Sequence, residues 1–105
     1  MDKVRDKTLD LIKDFLDLLA KNKINIQKAY LYGSHANRTN HQYSDIDLAL
    51  VSDDFTGDLW EDKRTLREYK SHVSWDISPI PYRVSEFEFS QFAKDEIISK
   101  GIRII

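Results

Sequence analysis

Two aspartates one residue apart, Asp45 and Asp47, lie in the run Ser44-Asp45-Ile46-Asp47-Leu48-Ala49-Leu50-Val51. An extended chain alternates its side chains, so both carboxylates share one face while Ile46, Leu48 and Leu50 point to the other. Their Cα atoms would stand about 6.6 Å apart, at roughly 3.3 Å per residue. Two charges that close repel on a half-buried strand, but they can converge on a divalent cation. Upstream, the turn Gly33-Ser34 follows the apolar run Ala29-Tyr30-Leu31-Tyr32. A glycine backbone, a hydroxyl and free N–H groups at such a turn suit a phosphate. A further acid, Asp76, lies in a segment that alternates again: Val73, Trp75 and Ile77 form an apolar set, and Ser74, Asp76 and Ser78 a polar one. Asp53 has the parity of Asp45 and Asp47 but sits among the turn formers Asp54, Thr56 and Gly57, where a turn or cap role is expected.

The elements that must position these groups can be read from periodicity. Val4, Thr8, Leu11, Ile12, Phe15, Leu18 and Leu19 recur at helical spacing and predict a core-packing helix from Asp2 to Lys21, capped by Asp2. Ile24 to Tyr32 reads as a strand that grows more apolar toward Gly33, as a central strand does. Ser34 to Asn40 predicts a short helix with its N-terminus toward a bound phosphate, and Thr39 to Tyr43 a polar loop. A second strand follows from Asp45 to about Ser52. Asp58 and Glu61 resemble a capping box that opens a helix to about His72. On it, Lys63, Arg64, Arg67 and Lys70 read as a solvated face. Val73 to Ile77 reads as a third strand, which Pro79 and Pro81 end or confine to a sheet edge. Ser85 and Glu88 suggest a capping box for a helix to about Ser99, with Phe89 and Phe92 in the core. Gly101 is expected to stop that helix in the left-handed conformation, before a last strand at Ile102 to Ile105.

The 105 residues are expected to form one domain, 1–105. The net charge of −2 offers no basic field for nucleic acid. The chain has no cysteine, which excludes disulfides and thiolate metal sites. His35, His41 and His72 lack zinc-site spacing, and an oxygen-rich acidic set favours magnesium or manganese. His35 is expected to be structural or solvent-facing. No apolar run approaches the ~20 residues that span a bilayer, and Met1 is followed by charge rather than an apolar leader, so a cytoplasmic protein is expected.

The pattern Gly33-Ser34-His35-Ala36, then Ser44-Asp45-Ile46-Asp47-Leu48, resembles the Gly-Ser…Asp-x-Asp motif of the polymerase-β-like nucleotidyltransferases. It is similar to their minimal members, the MntA-type antitoxins of pairs with a HEPN-domain toxin. Arg38 stands where that family usually carries glycine. The resemblance implies an α/β fold, with a small mixed sheet and helices mainly on one face. It implies that Asp45, Asp47 and Asp76 hold Mg2+, as two ions, and that Gly33, Ser34 and Ser44 hold the phosphates of ATP. The implied reaction is transfer of AMP to a tyrosine hydroxyl of a HEPN ribonuclease, in a hetero-complex or with a homo-oligomer. Two other readings stay open: an antitoxin that acts by contact alone, and a nucleotidyltransferase with a small-molecule acceptor.

Overall fold

A computed structural model describes residues 6–33 and 45–105. The expectations for Asp2, Val4, Ser34, His35, Arg38, His41, Ser44 and the helix at 34–40 lie outside the described residues.

Helix α1 spans Asp6–Lys21. Its predicted stripe buries Ile12, Phe15 and Leu19 completely. The helix ends where Asn22 and Ile24 both donate to the Leu19 carbonyl, at 3.0 Å each, and Lys23 takes a positive φ of 67°. Strand β1 is shorter than predicted, Lys28–Tyr32. Ile24 and Ile26 still pack against the core, but from irregular chain. That segment is tied down by side chains instead of a ladder: Asp54 accepts from the Asn25 N–H at 2.8 Å, and the Ser52 hydroxyl donates to the Asn25 carbonyl at 2.6 Å.

Strand β2, Ile46–Val51, runs antiparallel to β1 with Tyr32 opposite Asp47. Its alternation holds as expected. Ile46, Leu48 and Leu50 join Ile12, Phe15 and Leu19 in one core layer. Ala49 and Val51 join Tyr30, Tyr32 and Phe87 in a second layer on the other face.

Helix α2 spans Leu59–Lys70 and is capped by Asp58, which accepts from the N–H groups of Trp60 and Glu61 at 3.0 and 3.2 Å. Asp62, on its first turn, is a buried carboxylate that periodicity does not reveal. It accepts from the Thr56 N–H at 2.9 Å, the Thr56 hydroxyl at 3.0 Å and the Gly57 N–H at 3.1 Å. It therefore anchors the loop between β2 and α2. Asp62→Ala would leave those donors without their acceptor, so a loss of about 1–3 kcal/mol in denaturant stability is expected. An unchanged midpoint would show that water replaces the carboxylate.

The third strand corrects the sequence reading. Val73 to Asp76 form the turn out of α2, and β3 spans Ile77–Tyr82, with both prolines inside it. β3 pairs parallel with β2, Ile46 opposite Ile77 and Asp47 opposite Ser78. The alternation of Val73, Trp75 and Ile77 mixes two causes: Val73 packs on the core, whereas Trp75 is 62% exposed. The prolines are tolerated because β3 is an edge strand in the order β3-β2-β1-β4. Asp76 and Tyr82 turn their carbonyls toward β2, accepting from Ile46 and Ser52 at 2.8 and 2.9 Å. Pro79 and Pro81 have the opposite parity, so their nitrogens face outward, where no donor is required. The Ile77 carbonyl, also outward, accepts from Lys70 Nζ at 2.7 Å.

The predicted helix from Ser85 to Ser99 is divided. Helix α3 covers Val84–Phe89, and a π-helical segment covers Ala93–Ile98. The capping carboxylate is Glu86, accepting from the Arg83 N–H at 2.8 Å, rather than Glu88. Ser90 breaks the run, its hydroxyl accepting from the Ala93 N–H at 3.1 Å. This break leaves Phe89 81% exposed, whereas Phe87 is buried against Tyr30 and Tyr82. Gly101 is not left-handed; glycine is needed there because a Cβ would press on the carbonyls of Ile97 and Leu31. Strand β4, Ile102–Arg103, then pairs antiparallel with β1. The two long helices, α1 and α2, contribute to the same core layer, and α3 and the π-helical segment contribute to the other. Among the described residues no helix is long and apolar enough to cross a membrane.

Candidate active site

The candidate site lies where β1 ends and where β2 and β3 begin. Gly33, directly after β1, has a φ of +74°, a backbone state that side chains resist. A Cβ placed there would collide with the Asp47 carboxylate. The glycine is therefore required twice: by its backbone angle, and by the space that the carboxylate occupies. Asp47 is half-buried, whereas Asp45, just before β2, is exposed. Asp47 has the parity of Ala49 and Val51, and so belongs to the sheet face that carries Tyr32.

Asp76 stands immediately before β3. Its N–H donates to the Ser74 hydroxyl at 3.1 Å, and its carbonyl accepts from the Ile46 N–H. That bond holds the start of β3 beside the start of β2, so Asp76 adjoins the Asp45–Ile46 peptide. Asp76 is exposed. Among the described residues, no three acidic or histidine side chains stand gathered as a metal cluster. The donor chemistry nevertheless fits a hard cation: oxygen groups on adjoining strand starts, beside a glycine that leaves the Asp47 carboxylate room. Ser34 and Ser44 lie outside the described residues.

Asp53 is elsewhere, and it has a structural part there. It accepts from the Val84 N–H at 3.2 Å at the start of α3 and lies 3.8 Å from Arg83 Nε. The turn or cap role expected for it holds.

Tyr32 is a neighbour that the sequence reading misses. It is 8% exposed, lies opposite Asp47, and meets Phe92 edge to face at 6.1 Å. Burial, then the charge of Asp47, then Tyr82, push its hydroxyl well above the usual tyrosine range. The hydroxyl is thus a proton-bearing group beside Asp47 at every physiological pH. The one available signal is its position, since Tyr32 immediately precedes Gly33. The folded chain holds this proton more tightly than the unfolded chain does. Its contribution to stability is complete below the unfolded pKa of about 10 and is lost as pH rises from there toward the folded value. Denaturant unfolding from about pH 8 to about pH 11 should show stability falling above about pH 10, and falling less steeply in Tyr32→Phe. Equal slopes in the two proteins would exclude Tyr32 as the source.

A small mixed sheet with two long helices on one face, and acidic residues at adjoining strand starts, defines a nucleotidyltransferase-like α/β fold. Residues 13–105 match the family model described as polymerase beta, nucleotidyltransferase, and the chain belongs to that family. A comparison with curated proteins finds no match. Among solved structures, the chain is similar to a putative nucleotidyltransferase from Sulfolobus solfataricus, with 18% identity and a TM-score of 0.63 over 94% of this chain and 88% of that one. It is also similar to a toxin-antitoxin crystallised with AMP-PNP, with 23% identity and a TM-score of 0.58 over 90% of this chain and 70% of that one. A mutant of the toxin-antitoxin MntA-HpeT gives 20% identity and a TM-score of 0.55, over 87% and 69%. At these identities the likeness is one of fold.

Proposed function

We propose that this protein is an antitoxin of the minimal nucleotidyltransferase type, transferring AMP from ATP to a hydroxyl of a HEPN-domain partner protein. The observation that supports the reading is the pairing at the sheet end: Asp47 in β2 opposite Tyr32 and Ser78, Asp45 just before that strand, and the Asp76 carbonyl bonded to the Ile46 N–H between them. Family membership and the fold likeness to toxin-antitoxin structures support it.

In this reading Asp45, Asp47 and Asp76 hold divalent magnesium, as two ions. When bound, such ions supply charge stabilisation at the attacking and leaving oxygens. Gly33 lets the phosphates approach the backbone closely, and Ser34 and Ser44 orient them. The acceptor oxygen attacks the α-phosphorus, a new P–O bond forms, and the bond to the bridging oxygen breaks as pyrophosphate leaves with the electron pair. Asp76, exposed at the start of the edge strand, takes up the hydroxyl proton. Tyr32, kept protonated beside Asp47, adds no second negative charge there.

The direct test is the intact mass of a HEPN partner co-expressed with this chain. The expected result is an increase equal to AMP less water, absent when the partner is expressed alone. An unmodified partner that is nonetheless neutralised would favour the contact-only reading. Exposed Phe89, the last residue of α3, gives that reading a surface to act through.

A further inference from the structure

A groove among the described residues lies between α2 and the outer side of the β3 edge. Its volume is about 420 Å3, and Trp60, Lys63, Arg64, Arg67 and Lys70 of α2 line it with Ser78 and Pro79 of β3. Trp60, Lys63, Arg64, Arg67 and Lys70 recur at three- and four-residue spacing, so they form one stripe of the helix. Such a stripe normally buries apolar side chains; here it carries cations. Among the described residues none of the four makes an ion pair with a carboxylate. The chain's two tryptophans belong to this region: Trp60 is 81% exposed, and Trp75, 62% exposed, has Lys70 Nζ 5.6 Å from its ring centroid. The nearly even charge of the whole chain hides this local concentration.

We infer that the α2 groove binds single-stranded nucleic acid, with Lys63, Arg64, Arg67 and Lys70 on successive phosphates and bases stacked on Trp60 and Trp75. Cations alone would suit any polyanion. Exposed indole faces beside them suit a ligand that alternates negative charge with flat aromatic surface, which an acidic peptide does not. Charge and stacking should each leave a separate signature.

The test is titration of tryptophan fluorescence with oligouridylate about 12 nucleotides long, against an oligoglutamate of equal charge. Quenching by the oligonucleotide at low salt is expected, with a dissociation constant of about 10⁻⁴ to 10⁻⁶ M and a log–log salt slope of about −2 to −3. Arg64→Gln with Arg67→Gln should weaken binding and shallow the slope. Trp60→Ala, followed by anisotropy of a labelled oligonucleotide, should lower affinity about 5- to 100-fold at an unchanged slope. The Asp45→Asn, Asp47→Asn variant keeps every cation and indole of the groove and should retain binding, at least as tight as the parent's because Asp47 lies opposite the lining residue Ser78, so this result stands apart from any result on transfer. Absence of quenching, equal binding of oligoglutamate, or indifference to the arginine changes would each overturn the inference. Equal binding of oligoglutamate would reassign the groove to an acidic protein.

Discussion

Asp45→Asn combined with Asp47→Asn is expected to fold like the parent and to lose nucleotidyl transfer by about 1,000-fold or more. Asparagine preserves shape and removes charge, and neither position lies in the fully buried core. On the proposed reading, what disappears is the ability to hold cations where charge develops, an effect of several kcal/mol, with each ~1.36 kcal/mol worth tenfold in rate. Asp76→Asn should behave in the same way. Asp53→Ala is the control with the same chemistry in a different place. It removes the acceptor for the Val84 N–H, costs less than about 1 kcal/mol at an exposed position, and should leave transfer intact. Calorimetry with Mg-ATP, thermal melts and transfer of labelled AMP would together separate these cases. Mg-ATP binding unchanged in the double variant would remove Asp45 and Asp47 from the site. Loss of transfer in Asp53→Ala with retention in Asp76→Asn would exchange the third ligand.

Gly33→Ala should impair both the fold and the site through a single methyl group. Forcing alanine to a φ of +74° costs about 1–2 kcal/mol. For a domain of this size, each kcal/mol lowers Tm by about 4–8 °C. The added Cβ also meets the Asp47 carboxylate, which must move away from the position that the glycine leaves open. Mg-ATP affinity should therefore fall by at least about tenfold, as it does when groups supporting a metal ligand are disturbed. A Gly33→Ala variant that melts lower but binds Mg-ATP normally would show that Asp47 relocates without consequence, and that the glycine serves the turn alone.

Periodicity exposes most of this architecture, and its failures have physical causes. The α1 stripe and the alternation of β2 are set by burial on one face, so the residues alone reveal them. The strand before Gly33 reads as too long because Ile24 and Ile26 are apolar for packing, while Asn25 is held by the side chains of Asp54 and Ser52. The third strand reads as too early because the prolines look like stops. Their backbone parity, which makes them harmless at an outer edge, emerges only once the neighbour of β3 is known. The last helix reads as continuous because Phe89 and Phe92 match its period, but Ser90 uses its hydroxyl to start a new segment. Of the candidate site, Gly33, Asp45, Asp47 and Asp76 are legible as residues. The bond from Ile46 to Asp76 and the burial of Tyr32 beside Asp47 are not, because both arise from pairing between distant strands.

The outward side of β3 offers carbonyls but no free N–H at either proline, and β4, at the opposite margin, is only two residues long. A visiting strand would find half of its bonding partners missing on one side and almost no length on the other. Among the described residues, association through a shared ladder, which is largely indifferent to side-chain identity, thus finds no open margin. What the described surface recognises must be met residue by residue, so the choice of partner there can be altered by single surface substitutions that leave the sheet untouched.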